Sequence, residues 1–237
     1  MTKYKCNICN DSGWEKITKD GREFLRRCKC QKINLLKDRC LNANIPPRFA
    51  GSGLADFYPE EEDTDLIKIV KDIKKFINDF PVLQKGLLLH GGTGVGKTRL
   101  LCAIATGIFK KYPLTDIYYI DWNDMVREMR SGESHSFRDF SLINDLIERL
   151  SNTQLLIMDE FGSSIPSQWV KDNIYYLINH RYNKQKITLF ATNYPDESFD
   201  GQQPTLRDRV GDRIRSRVFE MAKTHHIKTL DYRQKWG

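Results

Sequence analysis

A glycine-rich stretch that ends in Lys-Thr is the clearest chemical signal in this chain. Residues 91–98 read G-G-T-G-V-G-K-T, which fits the phosphate-loop pattern G-x-x-x-x-G-K-[ST]. In that pattern the backbone N–H groups of the loop surround phosphate oxygens, and the following helix adds its positive end. We predict that Lys97 reaches the outer phosphates of a bound polyphosphate and that the Thr98 hydroxyl completes a magnesium shell. The predicted nucleotide-binding residues are Gly91, Gly92, Thr93, Gly94, Val95, Gly96, Lys97, Thr98 and Arg99.

Polar residues follow two later apolar segments, where hydrolytic chemistry needs them. The run L-L-I-M ends in Asp159 and Glu160, and the run I-T-L-F-A ends in Thr-Asn, which places Asn193 after it. Asp159, directly after four apolar residues, is suited to hold magnesium through water or through the Thr98 hydroxyl. Glu160 is suited to polarise an attacking water as a general base, and Asn193 to hydrogen-bond that water or the outer phosphate. Together with a phosphate loop about 60 residues upstream, this pattern indicates nucleotide hydrolysis.

Four of the six cysteines are spaced as metal ligands. The N-terminal region contains C-x-x-C and, eighteen residues later, C-x-C, with turn residues between the pairs. Two close thiolate pairs suit tetrahedral zinc, and so few bulky apolar residues surround them that a metal would have to supply the folding energy. The predicted zinc ligands are Cys6, Cys9, Cys28 and Cys30. Cys40 is a substitute ligand whose distance favours a helix-face thiol instead, and Cys102 is predicted to lie in the core.

These residues need a parallel sheet to bring them together. Apolar segments at 86–90, 116–120, 155–158 and 187–191 alternate with amphipathic segments of helical spacing. Strands that are apolar throughout and alternate with helices predict an α/β fold, with a parallel sheet covered on both faces. Ligands then bind beyond the carboxyl ends of the strands. His225 and His226 are predicted to lie in a further strand, and His90 to pack beneath the phosphate loop.

Charge and composition suggest two folding units. The chain has 237 residues, and its first 50 hold 12 basic and 5 acidic residues, whereas the rest holds 26 of each sign. We therefore predict a basic zinc-binding, partner-binding module over residues 1–41, a linker over 42–62 and an ATPase domain over 63–237. A basic module fits a polyanion or an acidic protein surface, and a plain solvated face is the alternative.

Targeting signals are not evident. No run of about 18 apolar residues occurs, and the first residues do not resemble a secretory signal. We therefore expect a cytoplasmic protein without a membrane partner.

In their order and spacing, the phosphate loop, the L-L-I-M-D-E segment and the A-T-N segment resemble an AAA+ ATPase. More narrowly, the chain resembles the DnaC-like replicative helicase loaders and the related transposition helper IstB. The connector A-N-I-P-P-R-F and the N-terminal C-x-x-C plus C-x-C are similar to those of Gram-positive and phage members. The resemblance implies an AAA+ domain with a truncated C-terminal lid, because only 44 residues follow Asn193. It also implies ATP and Mg²⁺ as cofactors, with hydrolysis that is weak without partners.

The resemblance also assigns roles to individual residues. Lys97 and Thr98 match the Walker A pair, Asp159 and Glu160 the Walker B pair, and Asn193 the sensor residue. Arg213 matches an arginine finger, which implies self-association, although a neighbouring arginine between 207 and 217 is not excluded by the pattern. Arg233 matches an arginine that contacts the nucleotide of its own subunit.

The implied partners are a hexameric replicative helicase and single-stranded DNA. The cysteine-containing module would bind the helicase, and the region that holds Trp122, Arg127, Arg130 and Arg138 would contact DNA, with Trp122 more typical of a core residue than of a stacking platform. Two alternatives stay open: an IstB-like ATPase that assists a transposase, and a zinc-stabilised DNA-binding adaptor whose nucleotide is structural.

Overall fold

The computed structural model describes residues 4–57, 64–131, 137–198, 203–229 and 231. The strands are β1 (Trp14–Lys19), β2 (Arg22–Arg27), β3 (Gly86–Gly91), β4 (Ile117–Asp121), β5 (Leu155–Asp159), β6 (Ile187–Thr192) and β7 (Ala222–Ile227). The α-helices are α1 (Lys29–Asn42), α2 (Thr64–Asp79), α3 (Lys97–Lys111), α4 (Trp122–Ser131), α5 (Phe137–Asn152), α6 (Gln168–Asn183), α7 (Leu206–Val210) and α8 (Asp212–Met221). Within these ranges, no helix is long and apolar enough to cross a lipid bilayer.

The predicted parallel sheet is confirmed. Five of the strands lie in the order β4-β5-β6-β3-β7, and every neighbouring pair is parallel. β3 lies between β6 and β7, so the phosphate loop that follows it has a strand on either side. The register pairs Asp121 with Asp159, which brings the ends of β4 and β5 to the same edge.

Apolar side chains on both faces of the sheet form two buried clusters. Leu87 and Leu89 of β3 belong to the cluster that holds α2 and α3, and Leu88 belongs to the cluster that holds α4, α5, α6, α7 and α8. This alternation follows from the two-residue repeat of a strand. Burial on both faces explains why the strands are apolar without interruption, and the prediction of two helical layers is confirmed.

Helix starts follow the local sequence. α6 begins at Gln168, two residues after Pro166, and the Ser167 hydroxyl caps it by accepting a hydrogen bond from the N–H of Val170 at 3.3 Å. α7 begins with a capping box, in which Thr205 and Asp208 satisfy each other's backbone N–H groups. These caps fix the direction of the segment that carries the arginines of α7 and α8.

Residues 4–30 form a small unit, here called the cysteine module. β1 and β2 pair as an antiparallel hairpin, and Asp20 and Gly21 form its turn with positive φ angles of 53° and 72°. Cys28 follows β2 directly, and its N–H donates to the Gly13 carbonyl at 2.8 Å. The hairpin therefore starts and ends beside the cysteines.

Several residues of the predicted linker at 42–62 pack on the ATPase domain. Cys40, Ala43 and Ile45 are buried in the same apolar cluster as α2 and α3. The Asn44 side chain donates to the Tyr119 carbonyl at 3.0 Å, and the Tyr119 N–H donates to the Ala43 carbonyl at 2.8 Å. The limits of independent domains stay a prediction, but residues 42–57 contribute to the core, and residues 58–62 lie outside the described ranges.

Candidate functional site: a phosphate loop and a cysteine cluster

The phosphate loop turns from β3 into α3 as predicted. Gly94 and Gly96 have φ angles of 76° and 93°, a region that side chains with a Cβ rarely adopt. A Cβ on Gly91 would lie 2.4 Å from the Ile227 carbonyl oxygen of β7. Glycine at these positions is therefore required by the backbone path and by the close approach of the neighbouring strand.

Lys97 lies inside this loop. Its side chain is 6% exposed, and its ammonium group donates to the carbonyl oxygens of Gly91 at 2.9 Å and Gly92 at 2.6 Å. The backbone oxygens thus hold the positive charge at the centre of the loop, where an entering phosphate group would meet it. Its predicted reach to the outer phosphates stays a prediction.

Asp159 is held rigidly at the end of β5. It is 2% exposed, and its carboxylate accepts from the Tyr119 hydroxyl at 2.7 Å and from the Glu160 N–H at 2.9 Å. Burial, and then the charge of Asp159, raise the pKa of Tyr119, so the phenol remains a donor. Tyr119 had no signal in the sequence beyond its place in an apolar strand.

Glu160 and Asn193 meet, as the ends of adjacent strands suggested. The Asn193 amide donates to the Glu160 carboxylate at 3.1 Å. Glu160 has a positive φ of 50°, a backbone conformation that residues other than glycine rarely adopt. Burial, and then repulsion from Asp159, raise the pKa of Glu160. A carboxylate with a raised pKa is a stronger base, which suits a residue that accepts a proton from water.

A cavity of about 470 Å³ joins the predicted magnesium residues. Thr98, Asp159 and Glu160 line it, so the structure brings Thr98 together with two adjacent carboxylates that are far from it in the sequence. Further lining comes from β4 and α4, and from the connector after α1. These additional residues are Leu41, Asn44, Ile45, Pro46, Pro47, Arg48, Tyr119, Asp121 and Asp124. The sequence pattern had placed the connector in a linker, so its part in this wall is a new feature of the site.

Arg213 differs from its neighbours. Arg215 forms an ion pair with Asp196, and Arg207 forms one with Asp212. Arg209 donates to the carbonyl oxygens of residues 162 and 163. Arg213 is exposed on α8, with its guanidinium 5.3 Å from the ring centre of Tyr175, and it has no ion pair among the described residues. Arg217 donates to the Asn179 side chain at 2.9 Å. Arg213 is thus the arginine of this segment whose guanidinium has no hydrogen-bond acceptor among the described residues.

The DNA-contact prediction is changed at one residue. Trp122 is fully buried, packs edge-on against Phe161 at 4.7 Å, and donates from its indole N–H to the Ser164 carbonyl at 2.9 Å. It is therefore a core residue and cannot stack with a base. Arg127 and Arg130 are exposed on α4. The side chain of Arg138 and the whole of Arg233 lie outside the described part of the chain.

The cysteine cluster has the geometry of a tetrahedral site. The Sγ atoms of Cys6, Cys9, Cys28 and Cys30 all lie within 4.8 Å of one another. The Sγ atoms of Cys6 and Cys28 are 3.8 Å apart, and those of Cys9 and Cys30 are 3.4 Å apart. The edge of a tetrahedron with 2.3 Å zinc–sulfur bonds is about 3.8 Å, so the donor set fits zinc.

The sulfurs differ in acidity. The hydrogen bond from the Cys9 side chain, and then burial, raise the pKa of the Cys30 thiol to about 12. Backbone hydrogen bonds from Cys9 and then Ile8 lower the pKa of the Cys6 thiol to about 7. Cys40 and Cys102 are fully buried in the ATPase domain, where Cys40 lies 3.7 Å from the Thr106 hydroxyl. The two remaining cysteines are thus packing residues, as predicted.

The order of the parallel sheet, with the phosphate loop after β3 and the carboxylates at the end of β5, is that of an AAA+ nucleotide-binding domain. The chain belongs to the family of IstB-like ATP-binding proteins, whose family model matches residues 54–236. Residues 1–53, which include the cysteine module, lie outside the matched range.

Two groups of replication proteins are similar to the chain. It is 34% identical over 115 residues to the replicative helicase loader DnaI of Bacillus subtilis (strain 168), a match that covers 48% of this chain and 35% of that protein. It is 26% identical over 139 residues to the replication initiator DnaA of Latilactobacillus sakei, covering 56% of this chain and 28% of that protein. The chain thus spans about a third of the length of these curated relatives. A crystal structure of the DnaC helicase loader superposes with a TM-score of 0.62 at 26% identity, covering 76% of this chain and 99% of that one.

Proposed function

We propose that this protein is an ATP-controlled helicase loader, which binds a hexameric replicative helicase and delivers it to single-stranded DNA. The observation that carries the proposal is the combination of an IstB-like ATP-binding domain with a four-cysteine module outside the family match. The similarity to DnaI and DnaC, both described as helicase loaders, supports it.

In the proposed ATPase reaction, the N–H groups of the loop and Lys97 bind the phosphates of ATP. Thr98 and Asp159 would hold Mg²⁺, which neutralises phosphate charge when bound. Asp159 is fixed by the hydrogen bond from the Tyr119 hydroxyl, while Glu160 takes a proton from the attacking water. Asn193 orients Glu160 through the 3.1 Å hydrogen bond.

Full activity would require a second subunit. Arg213 is exposed and has no ion pair among the described residues, so its guanidinium is available to the phosphates bound by a neighbouring copy. Arg233 would act on the nucleotide of its own subunit. We expect turnover per chain to rise with protein concentration and Arg213→Ala to remove that rise, with nucleotide affinity unchanged.

Zinc bound by the four cysteines would hold the partner-binding module in shape. Directly after the cluster, α1 exposes the apolar side chains of Ile33 and Leu35, each 53% exposed. The side of α1 that carries Leu35 is called the outer surface of α1. An exposed apolar surface next to a basic module fits contact with another protein, and we assign it to the helicase.

Point variants test this assignment better than deletion, because Cys40 and Ala43 are buried and a truncated chain would expose core surface. The experiment is co-purification of the full chain with the replicative helicase of its host, with and without ATP. Leu35→Asp should abolish the complex. Ile67→Asp, on the exposed side of α2, is the matched control and should retain it. If Leu35→Asp and the parent chain bind equally, the outer surface of α1 is not the helicase contact.

The second candidate is a transposition helper, which the IstB-like family match favours. Single-stranded DNA delivery in the loader would use Arg127 and Arg130 of α4, and Arg138. If the protein binds the transposase of its host and duplex DNA but does not bind the helicase, the transposition helper is the correct function.

A further inference from the structure

The hairpin of the cysteine module exposes both of its faces. All six residues of β2 are exposed, and so are four of the six residues of β1. A lone two-stranded hairpin is marginally stable in water, so this one depends on the sulfur cluster at its ends. The four cysteines thus fix the hairpin, whose residues belong to neither apolar cluster of the ATPase domain.

One face of the hairpin combines a ring with positive charges. The register places Trp14 opposite Arg27 and Lys16 opposite Leu25, so these four side chains share one face and form a square. They are called the hairpin patch. Trp14 is 45% exposed and Leu25 is 65% exposed, and the Arg27 guanidinium lies 5.9 Å from the centre of the Trp14 ring.

The charge around the patch is positive. Glu15 is on the opposite face, where it forms an ion pair with Arg26 at 2.6 Å. The carboxylate on the face of the patch is Glu23, which pairs with Thr18 at the far end of the hairpin. Beyond Arg27, the exposed Lys29 continues the basic surface into α1.

We propose that the hairpin patch binds single-stranded nucleic acid. An exposed indole beside a guanidinium is the combination that stacks an unpaired base while contacting its phosphate. An acidic protein surface would pair with Lys16 and Arg27, but its carboxylates would not stack on the Trp14 ring. Trp14 stacks with a base in this assignment, while Lys16 and Arg27 contact phosphates.

The dimensions of the patch set the size of the effect. Two residues along each of two paired strands cover an area of about 5 by 7 Å, enough for one or two nucleotides. Loss of one stacked base is expected to weaken binding about 5- to 150-fold. Removal of one phosphate contact should lower the slope of log affinity against log salt by about 0.7.

The experiment uses the full-length, zinc-loaded chain and fluorescein-labelled oligo(dT), titrated by anisotropy at two salt concentrations. Trp14→Ala should weaken binding about 5- to 150-fold, and Trp14→Phe should restore most of it. Phe24→Ala removes an equally exposed ring from the opposite face and should bind like the parent. Arg27→Gln should reduce the salt dependence. Zinc content is measured on every variant, so that unfolding of the cysteine module is distinguished from loss of a nucleic-acid contact.

Parallel titrations separate the sources of the ligand. Tighter binding of oligo(dT) than of oligo(rU) assigns the patch to DNA, and the reverse order assigns it to RNA. Equal affinity for duplex and single strand, or unchanged binding by Trp14→Ala with zinc retained, would overturn the proposal. So would a Trp14→Ala chain that binds oligo(dT) normally but loses the helicase, since the patch would then be a protein contact. Because the DNA titrations contain no helicase, failure of the loader function leaves this test intact.

Discussion

In the ATPase domain every residue of β5 and β6 is buried, whereas in the cysteine module every residue of β2 is exposed. The first region is held by apolar side chains on both faces of a sheet, and the second by four sulfur atoms at the ends of a hairpin. Burial stabilises the ATPase domain by removing apolar surface from water, which leaves its strands unavailable for contacts. A metal clamp stabilises a small unit while leaving its side chains exposed, and this suits the proposed role of the cysteine module in binding partners.

The largest expected effect is loss of the metal. Cys28→Ser removes one of four ligands, and apparent zinc binding in small modules amounts to about 10–16 kcal/mol of folding free energy. We expect zinc content to fall from one ion per chain towards none, with fast hydrogen exchange in β1 and β2 and unchanged protection in β5 and β6. Cys102→Ser, in the buried core, should keep its zinc. If the amides of β1 and β2 stay protected from hydrogen exchange after a chelator removes the zinc, the cysteine module does not depend on metal as proposed.

Substitution of a carboxylate in the ATPase domain should lower turnover without weakening ATP binding. Glu160→Gln removes the proton acceptor, and turnover should fall about 10²- to 10⁴-fold while ATP binding persists. Steady-state phosphate release and nucleotide titration measure the two effects. Asp124→Asn is the matched control on the wall of the same cavity and should change turnover little. Unchanged turnover in Glu160→Gln would favour the adaptor with a structural nucleotide.

One substitution made in both regions tests how each is stabilised. Phe161 packs between Trp122 and Phe190, with ring centres 4.7 and 5.1 Å away, so Phe161→Ala should cost about 3–5 kcal/mol of unfolding free energy. Phe24→Ala, in the exposed hairpin, should cost less than about 0.5 kcal/mol. Urea unfolding followed by far-UV circular dichroism gives both values. Equal losses would mean that the hairpin packs against a surface of its own.

The smallest expected effect is a shift in pH dependence. Burial raises the pKa of Glu160, so the carboxyl keeps its proton to a higher pH than an exposed glutamate. Turnover should therefore decline on acidification at a pH above the ordinary glutamate range, and the residual turnover of Glu160→Gln should lack that limb. The same shift means that the charged form is disfavoured by folding, so the free energy of unfolding should be higher for Glu160→Gln than for the parent at neutral pH.

Much of the site could be predicted from the sequence because its parts are local. The phosphate loop requires glycines at fixed positions, and the two carboxylates directly follow an apolar strand. The meeting of Asn193 with Glu160 could also be inferred, since parallel strands end at one edge. Tyr119 could not be identified, because its hydrogen bond to Asp159 depends on the register between β4 and β5.

Two other features depended on packing at long range. Trp122 follows the end of a strand, where a ring can face either solvent or core. Its burial depends on contact with Phe161, which is distant in the sequence. The connector reads as a linker, because its Asn and Pro residues are typical of extended chain. Its residues Asn44 to Arg48 instead form a wall of the nucleotide cavity, because Ala43 and Ile45 are buried beside α3.

By itself, the sequence determined the chemical groups of this protein: a phosphate loop, a pair of carboxylates after an apolar strand and two cysteine pairs, each set by residue type and short spacing. The tertiary structure decided which of these groups act together. Four sulfurs from two distant pairs come within 4.8 Å, and Thr98 shares a cavity with Asp159 and Glu160. It also decided which surfaces are left exposed. The reason is physical: bonding preferences belong to side chains and their neighbours, whereas distances between remote residues depend on the packing of the whole chain.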